Sequence, residues 1–225
     1  MVGVAPGSRA DADQVDEAPT PRSTYHHGDL RHALLDVGVQ MARIGGPSAV
    51  VLREATRSVG VSPNAAYRHF RDRTALLSAV CDAAQAALAD AIDDEQHALP
   101  PAADEVGRAR ARFRAVGAGY VRFARTEPGL FRTAFSVPAD LDRRDVAARA
   151  GACGLTPFQL LSRSLDELAA AGALPAERRE GAEFLAWSAV HGLATLLIDG
   201  PLRAIDDAAA ASITERLVRM VDLGL

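Results

Sequence analysis

"GVSPNAAYRHFRDRTAL", residues 60–76, sets three arginines, a histidine and a tyrosine just behind a glycine and a proline. Gly60 suits the end of a helix, because glycine accepts the left-handed backbone that other residues resist. Ser62 can cap a new helix by accepting an orphan N–H, and Pro63 at the first helical position loses nothing by lacking its own. At about 100° per residue, Pro63, Ala66, Tyr67 and Phe70 fall on one side, and Asn64, Ala65, Arg68 and His69 on the rest. The first set predicts packing against preceding helices, the second an outward face with one small and three hydrogen-bonding side chains. A helix of this kind, second of a pair joined by a glycine turn, reads as the recognition helix of a helix-turn-helix. Asn64 can pair bidentately with an adenine edge, Ala65 leaves room for close approach, and Arg73 is placed for a phosphate.

Upstream, Leu30, Leu34, Val37, Met41 and Ile44 recur at helical spacing, a predicted apolar stripe that stops at Gly45-Gly46-Pro47. Leu52 to Val59 reads as a second, shorter helix ended by Gly60. Three helices therefore form a small head.

Charge separates this head from its surroundings. Residues 1–21 carry one arginine against Asp11, Asp13, Asp16 and Glu17, a net of −3, and read as a disordered arm. Residues 22–80 carry eight arginines against four acids, a net of +4, and residues 81–225 carry a net of −5. A basic module on an acidic body suits a polyanion-binding head attached to something with a different task. The chain has 225 residues, 48% of them hydrophobic, and no lysine. It has no uninterrupted apolar run of membrane-spanning length and no signal-peptide core at its start, so it is expected to be cytoplasmic with no membrane partner. Cys81 and Cys153 lie far apart with no CxxC spacing, which argues against a disulfide framework or zinc site, and both read as buried thiols.

Residues Tyr25 to Val80, with the core "GVSPNAAYRHFRDRTALL", resemble the DNA-binding domain of TetR (tetracycline-repressor-like) transcriptional regulators. The resemblance implies base contacts from Arg53 and from Pro63, Asn64 and Ala65, with Ser62 among the DNA-facing residues. It implies phosphate contacts from Tyr67, His69 and Arg73, the last standing where the family usually has lysine. Val51 replaces the usual Ser or Thr cap of the second helix, a change worth about 1 kcal/mol. Ala55 and Thr56 stand where a larger aliphatic residue and an alanine are usual, predicting a looser core there.

The acidic body reads as helical throughout. Leu76, Leu77, Val80, Ala84, Leu88 and Ile92 mark a long helix broken at Pro100-Pro101, and Phe113, Val116, Tyr120 and Phe123 mark the next, broken at Pro128-Gly129. Further helices are predicted over 156–171, 176–198 and 206–222, while 136–154 reads as a mobile loop. "FLAWSAVHGLATLLIDGPL", with Trp187, His191 and Gly192, resembles TetR-like C-terminal domains that carry a Trp-His-Gly signature. That implies an effector-binding and dimerisation domain whose last two long helices pair with those of a second subunit. Independently, Leu185, Val190, Leu193, Leu196, Leu197, Leu217, Val218 and Val221 offer more apolar surface than one small domain readily covers.

The expected architecture is all-α: a disordered arm over 1–21, a helix-turn-helix domain over 22–75 and a helical effector-binding and dimerisation domain over 76–225. The expected ligand pocket comprises Tyr120, Phe123, Phe131, Phe135, Phe158, Trp187 and His191, a composition that suits a small apolar or aromatic effector. Trp187 and His191, at i and i+4, read first as a packed structural pair and only second as pocket-lining residues. Arg122, Arg125 and Arg132 offer an anionic alternative. No GxSxG, HExxH or glycine-rich phosphate loop is present, so no enzyme, cofactor or catalytic residue is expected, and the adjacent His26 and His27 lack the partners a metal needs. The expected partners are an inverted-repeat DNA operator, a small-molecule effector that releases a repressor, and a second copy of the chain. The competing class is an architectural DNA-binding protein that ignores metabolites.

Overall fold

The computed structural model of the chain describes residues 27–137 and 146–225. The acidic arm and His26 lie outside the described residues, as does 138–145 of the expected loop. The described residues form ten α-helices and no strand. α1 (His27–Gly45), α2 (Leu52–Val59) and α3 (Pro63–Tyr67) make the head. α4 (Arg73–His97) crosses the expected boundary at residue 75 and runs from the head into the body.

Local chemistry fixes these helix starts. Asp72, Asp104 and Asp206 each accept a backbone N–H three residues on, at 2.6–2.7 Å, and so begin α4, α5 (Glu105–Thr126) and α10 (Asp207–Gly224). Thr156 and Gln159 form a reciprocal capping box ahead of α8 (Pro157–Ala170). Glu127 alone separates α5 from α6 (Pro128–Ala134), because Pro128 ends one helix and opens the next. The helix expected over 176–198 is divided: a 3-10 turn at Ala176–Arg178 precedes Gly181, in left-handed backbone at φ 76°, and α9 starts afterwards (Ala182–Ile198).

α4 and α5 are the central layer. α4 packs against α1, α5, α6, α8 and the short α7 (Val146–Arg149), while α5 also meets α8, α9 and α10. By composition α4 is apolar enough to cross a membrane, but Leu76, Leu77, Val80, Ala84, Leu88 and Ile92 are buried within the bundle. Burial of such residues, at about 25 cal/mol per Å², is the main source of stability.

Two sequence expectations change here. The α1 stripe holds for Leu30 and Leu34, but Ile44 is 89% exposed, and the buried row continues through Gly38 and Ala42 instead. Gly38 lies against Leu76 and Val80, and Ala42 lies under α6, so small residues are required where the spacing suggested large ones. Cys81 is buried, its thiol donating to the Thr133 carbonyl at 2.9 Å, but Cys153 is exposed. Thr56 is buried with its hydroxyl donating to the Leu52 carbonyl at 2.6 Å, which satisfies the polar group within α2.

Candidate functional site

The head presents a compact outward surface. Gly60 takes φ 74°, and the Ser62 hydroxyl accepts weakly from the Ala65 N–H at 3.4 Å, so α3 starts where the sequence predicts. Ser62, Pro63 and Asn64 are exposed at its first turn and Ala65 is half-buried, while Arg53 is exposed on α2. α3 is only five residues long, so helical spacing stops applying after Tyr67. Ala66 and Phe70 are buried, but Pro63 is exposed and Tyr67 is 48% exposed, against the packing expected for both. His69 is half-buried; Arg68 and Arg71 are exposed.

Arg73 has a second occupation. Its Nε donates to the Val50 carbonyl at 2.8 Å and its Nη2 to the Pro47 carbonyl at 2.7 Å. The guanidinium thus ties the start of α4 to the turn ahead of α2, where Val51 provides no side-chain cap. A phosphate ligand for Arg73 would have to share a fork already engaged on two carbonyls.

Within the body lies a cavity of about 530 Å³. α5 contributes Phe113, Val116, Gly117 and Tyr120; α9 contributes Trp187, Val190 and His191; α10 contributes Val218 and Val221. Gln85 and Ile92 of α4, Phe135, Arg149 of α7, and Thr156, Phe158 and Gln159 around the start of α8 complete most of the wall. Of the seven residues expected at the pocket, Tyr120, Phe135, Phe158, Trp187 and His191 line it. Phe123 and Phe131 do not. Both are buried in the core, Phe131 edge-on behind Tyr120 at 5.4 Å between ring centres.

One hydrogen-bond chain crosses the wall. The Trp187 indole N–H donates to the Tyr120 hydroxyl at 3.1 Å, and that hydroxyl is 2.7 Å from His191 Nδ1. Burial pushes the Tyr120 phenol well above its ordinary pKa, against a smaller opposing effect of the Trp187 hydrogen bond, and burial holds the His191 imidazole below its ordinary value. Both groups are accordingly neutral at pH 7. Trp187 and His191 are therefore linked through Tyr120 as well as through their i, i+4 spacing, which no sequence pattern signals.

The head meets the body at α6. Arg43 Nε donates to Glu127 Oε2 at 2.8 Å. A Cβ on Gly129 would collide with the carbonyl oxygens of Ala42 and Arg43, so the first turn of α6 rests directly on the last turn of α1. At the other end of α6, Ala134 and Phe135 face the cavity, and α4 holds the Ala134 carbonyl through Gln85 Nε2 at 2.9 Å.

A profile of the tetracyclin repressor-like C-terminal domain matches residues 113–221, the stretch that includes most of this cavity wall. The chain thus carries a tetracyclin repressor-like C-terminal domain over just under half of its length. That likeness supports a transcription regulator. A protein of unknown function from Rhodococcus sp. RHA1 is 28% identical, with a TM-score of 0.70 over 91% of this chain and 99% of that one. A bacterial regulatory protein of the TetR family from Rhodococcus RHA1 shares the fold, at 20% identity and a TM-score of 0.52 over 87% of this chain and 96% of that one. No curated protein matches the chain.

The body also exposes apolar surface. Phe184, Leu185 and Leu196 of α9 and Met220 and Leu223 of α10 are 43–67% exposed. Of the residues expected on that surface, Leu193, Leu197 and Val218 are instead buried within their own chain. Phe184, Met220 and Leu223 were missed because the sequence shows which residues are apolar, not which stripe of an apolar helix its own core consumes. Gly192 sits on the same face with open space where a side chain would stand.

Proposed function

We propose that this chain is a TetR-family regulator that binds an inverted-repeat operator as a homodimer, through Arg53, Ser62, Pro63, Asn64 and Ala65 at base edges and Tyr67, His69 and Arg73 at phosphates. A small molecule in the body cavity releases it, so that it acts as a repressor. The observation that carries this reading is the position of α6, which has one end on α1 of the head and the other in the cavity wall. A ligand that displaces Phe135 moves the helix on which the head rests, and that changes the separation of two recognition helices in a dimer. The exposed apolar faces of α9 and α10 supply the surface for a second copy.

The test is a comparison of binding to duplexes flanking the chain's own coding region with binding to random duplexes at fixed salt, since non-specific affinity is dominated by salt. A metabolite screen for release follows. Preferential binding to a dyad-symmetric site, lost on addition of one metabolite, is expected. Equal binding to all duplexes in the presence of every metabolite would instead favour the architectural class.

A further inference from the structure

The direction of each hydrogen bond on the cavity wall can be worked out. An indole N–H only donates, so the Tyr120 oxygen accepts from Trp187. A phenol has one proton, and among the described residues its only acceptor is His191 Nδ1. The opposite polarity, with Nδ1–H donating to the phenol, would leave the hydroxyl proton without an acceptor among the described residues, at a cost comparable to a lost hydrogen bond. Nδ1 is therefore the acceptor, and the neutral imidazole carries its proton on Nε2. Nε2 makes no hydrogen bond to any described residue, and His191 lines the cavity.

Charge narrows the ligand further. Among the described residues the only formally charged side chain on the wall is Arg149, and its Nε is held by Asp82 Oδ1 at 3.0 Å. An anion would have to compete with Asp82 for that guanidinium. A cation would find no carboxylate among the described residues of the wall. The rest of the surface is largely aromatic and aliphatic, with the His191 ring flanked by Phe135 at 5.0 Å and Phe131 at 5.5 Å between centres.

We infer that the cavity takes an uncharged ligand of mainly aromatic or hydrocarbon surface bearing a carbonyl oxygen, which accepts the Nε2–H of His191. Trp187 and Tyr120 are positioning residues that fix the tautomer of the histidine touching the ligand. This deepens the reading of the cavity as an effector site and rests on it. The test contains no DNA, so its failure leaves the operator-binding part of that reading untouched.

The probes are β-acetylnaphthalene, its near-isosteric hydrocarbon β-isopropenylnaphthalene, and β-naphthoate, titrated calorimetrically into the full chain. The ketone is expected to bind about tenfold more tightly than the hydrocarbon, the worth of one hydrogen bond. His191→Phe should equalise the two, while His191→Gln, which keeps a donor near the same place, should retain part of the preference. Equal affinity for ketone and hydrocarbon in the native chain, a preference that survives His191→Phe, or no binding by any probe overturns the inference. So does tightest binding by naphthoate that is lost in Arg149→Gln, which would mark an anion site. Nitrogen NMR of the native imidazole reads the tautomer directly, even if the variants fail to fold: a proton on Nε2 is expected, and a proton on Nδ1 overturns the assignment.

Discussion

Arg114 on α5 grips Asp222 on α10 with two donors, Nε at 2.8 Å and Nη2 at 2.5 Å, both to Oδ2. The other carboxylate oxygen receives Arg110 Nη1 at 2.6 Å, and the Asp222 side chain is 1% exposed. A buried carboxylate is tolerable only when paired and hydrogen-bonded in this way. The two arginines are partly exposed and regain water if the acid is removed, so the penalty is smaller than for a fully enclosed pair. Asp222→Ala is expected to cost about 2–3 kcal/mol and to lower the melting temperature by several degrees. Thermal unfolding of the variant and native chains at equal concentration checks this.

Asn64→Ala should relax base preference at one position in each half-site, by about 1–3 kcal/mol of discrimination, and leave binding to random DNA nearly unchanged. Arg68→Ala, at an exposed cation on the outward face that is not among the proposed base contacts, should weaken specific and random binding together and reduce the salt slope by about one unit. Titration of both variants against operator and random duplexes at several salt concentrations distinguishes the two roles.

Arg73→Ala should behave differently from Arg68→Ala. It leaves the Pro47 and Val50 carbonyls without their side-chain donor, so the head loses stability as well as a cation. Unfolding followed beside DNA titration should show both losses for Arg73→Ala and only the second for Arg68→Ala.

His191 gives a pH signature. Its folded-state pKa is depressed by burial, so the folded chain resists a proton that the unfolded chain accepts near pH 6.5. The stability tied to the neutral ring is fully present above that pH and is lost as pH falls below it. His191→Phe should flatten the acid side of the stability profile in that window. Denaturant midpoints measured across it provide the check.

Leu185→Glu, on the exposed face of α9, should shift the chain from dimer to monomer and weaken operator binding by the loss of one head, while leaving helical content unchanged. Sedimentation at the concentrations used for DNA binding decides the point.

Much of the head was legible because its signals are local. Gly60, Ser62 and Pro63 fix backbone conformation through their own chemistry, and the apolar spacing of α4 and α5 survives in the bundle almost residue for residue. What escaped depends on distant contacts. Spacing could not reveal that Arg73 reaches back 26 residues to Pro47, or that Tyr120 bridges Trp187 and His191 from 67 and 71 residues away. Phe123 and Phe131 have the composition of pocket residues but stand behind the wall, since pockets and cores draw on the same amino acids.

The seam between α1 and α6 and the cavity wall share a helix but no side chain. Gly129, Ala42 and Arg43 meet through backbone atoms, whereas Ala134 and Phe135 face the cavity. The joint between head and body thus rests on the close backbone approach at Gly129 and the Arg43–Glu127 ion pair, and none of these residues lines the cavity. On the proposed reading of the cavity as an effector site, a lineage carrying this joint can exchange Phe135, Phe158 or Gln159 and acquire a new chemical cue while keeping the same joint, so that sensing evolves separately from actuation.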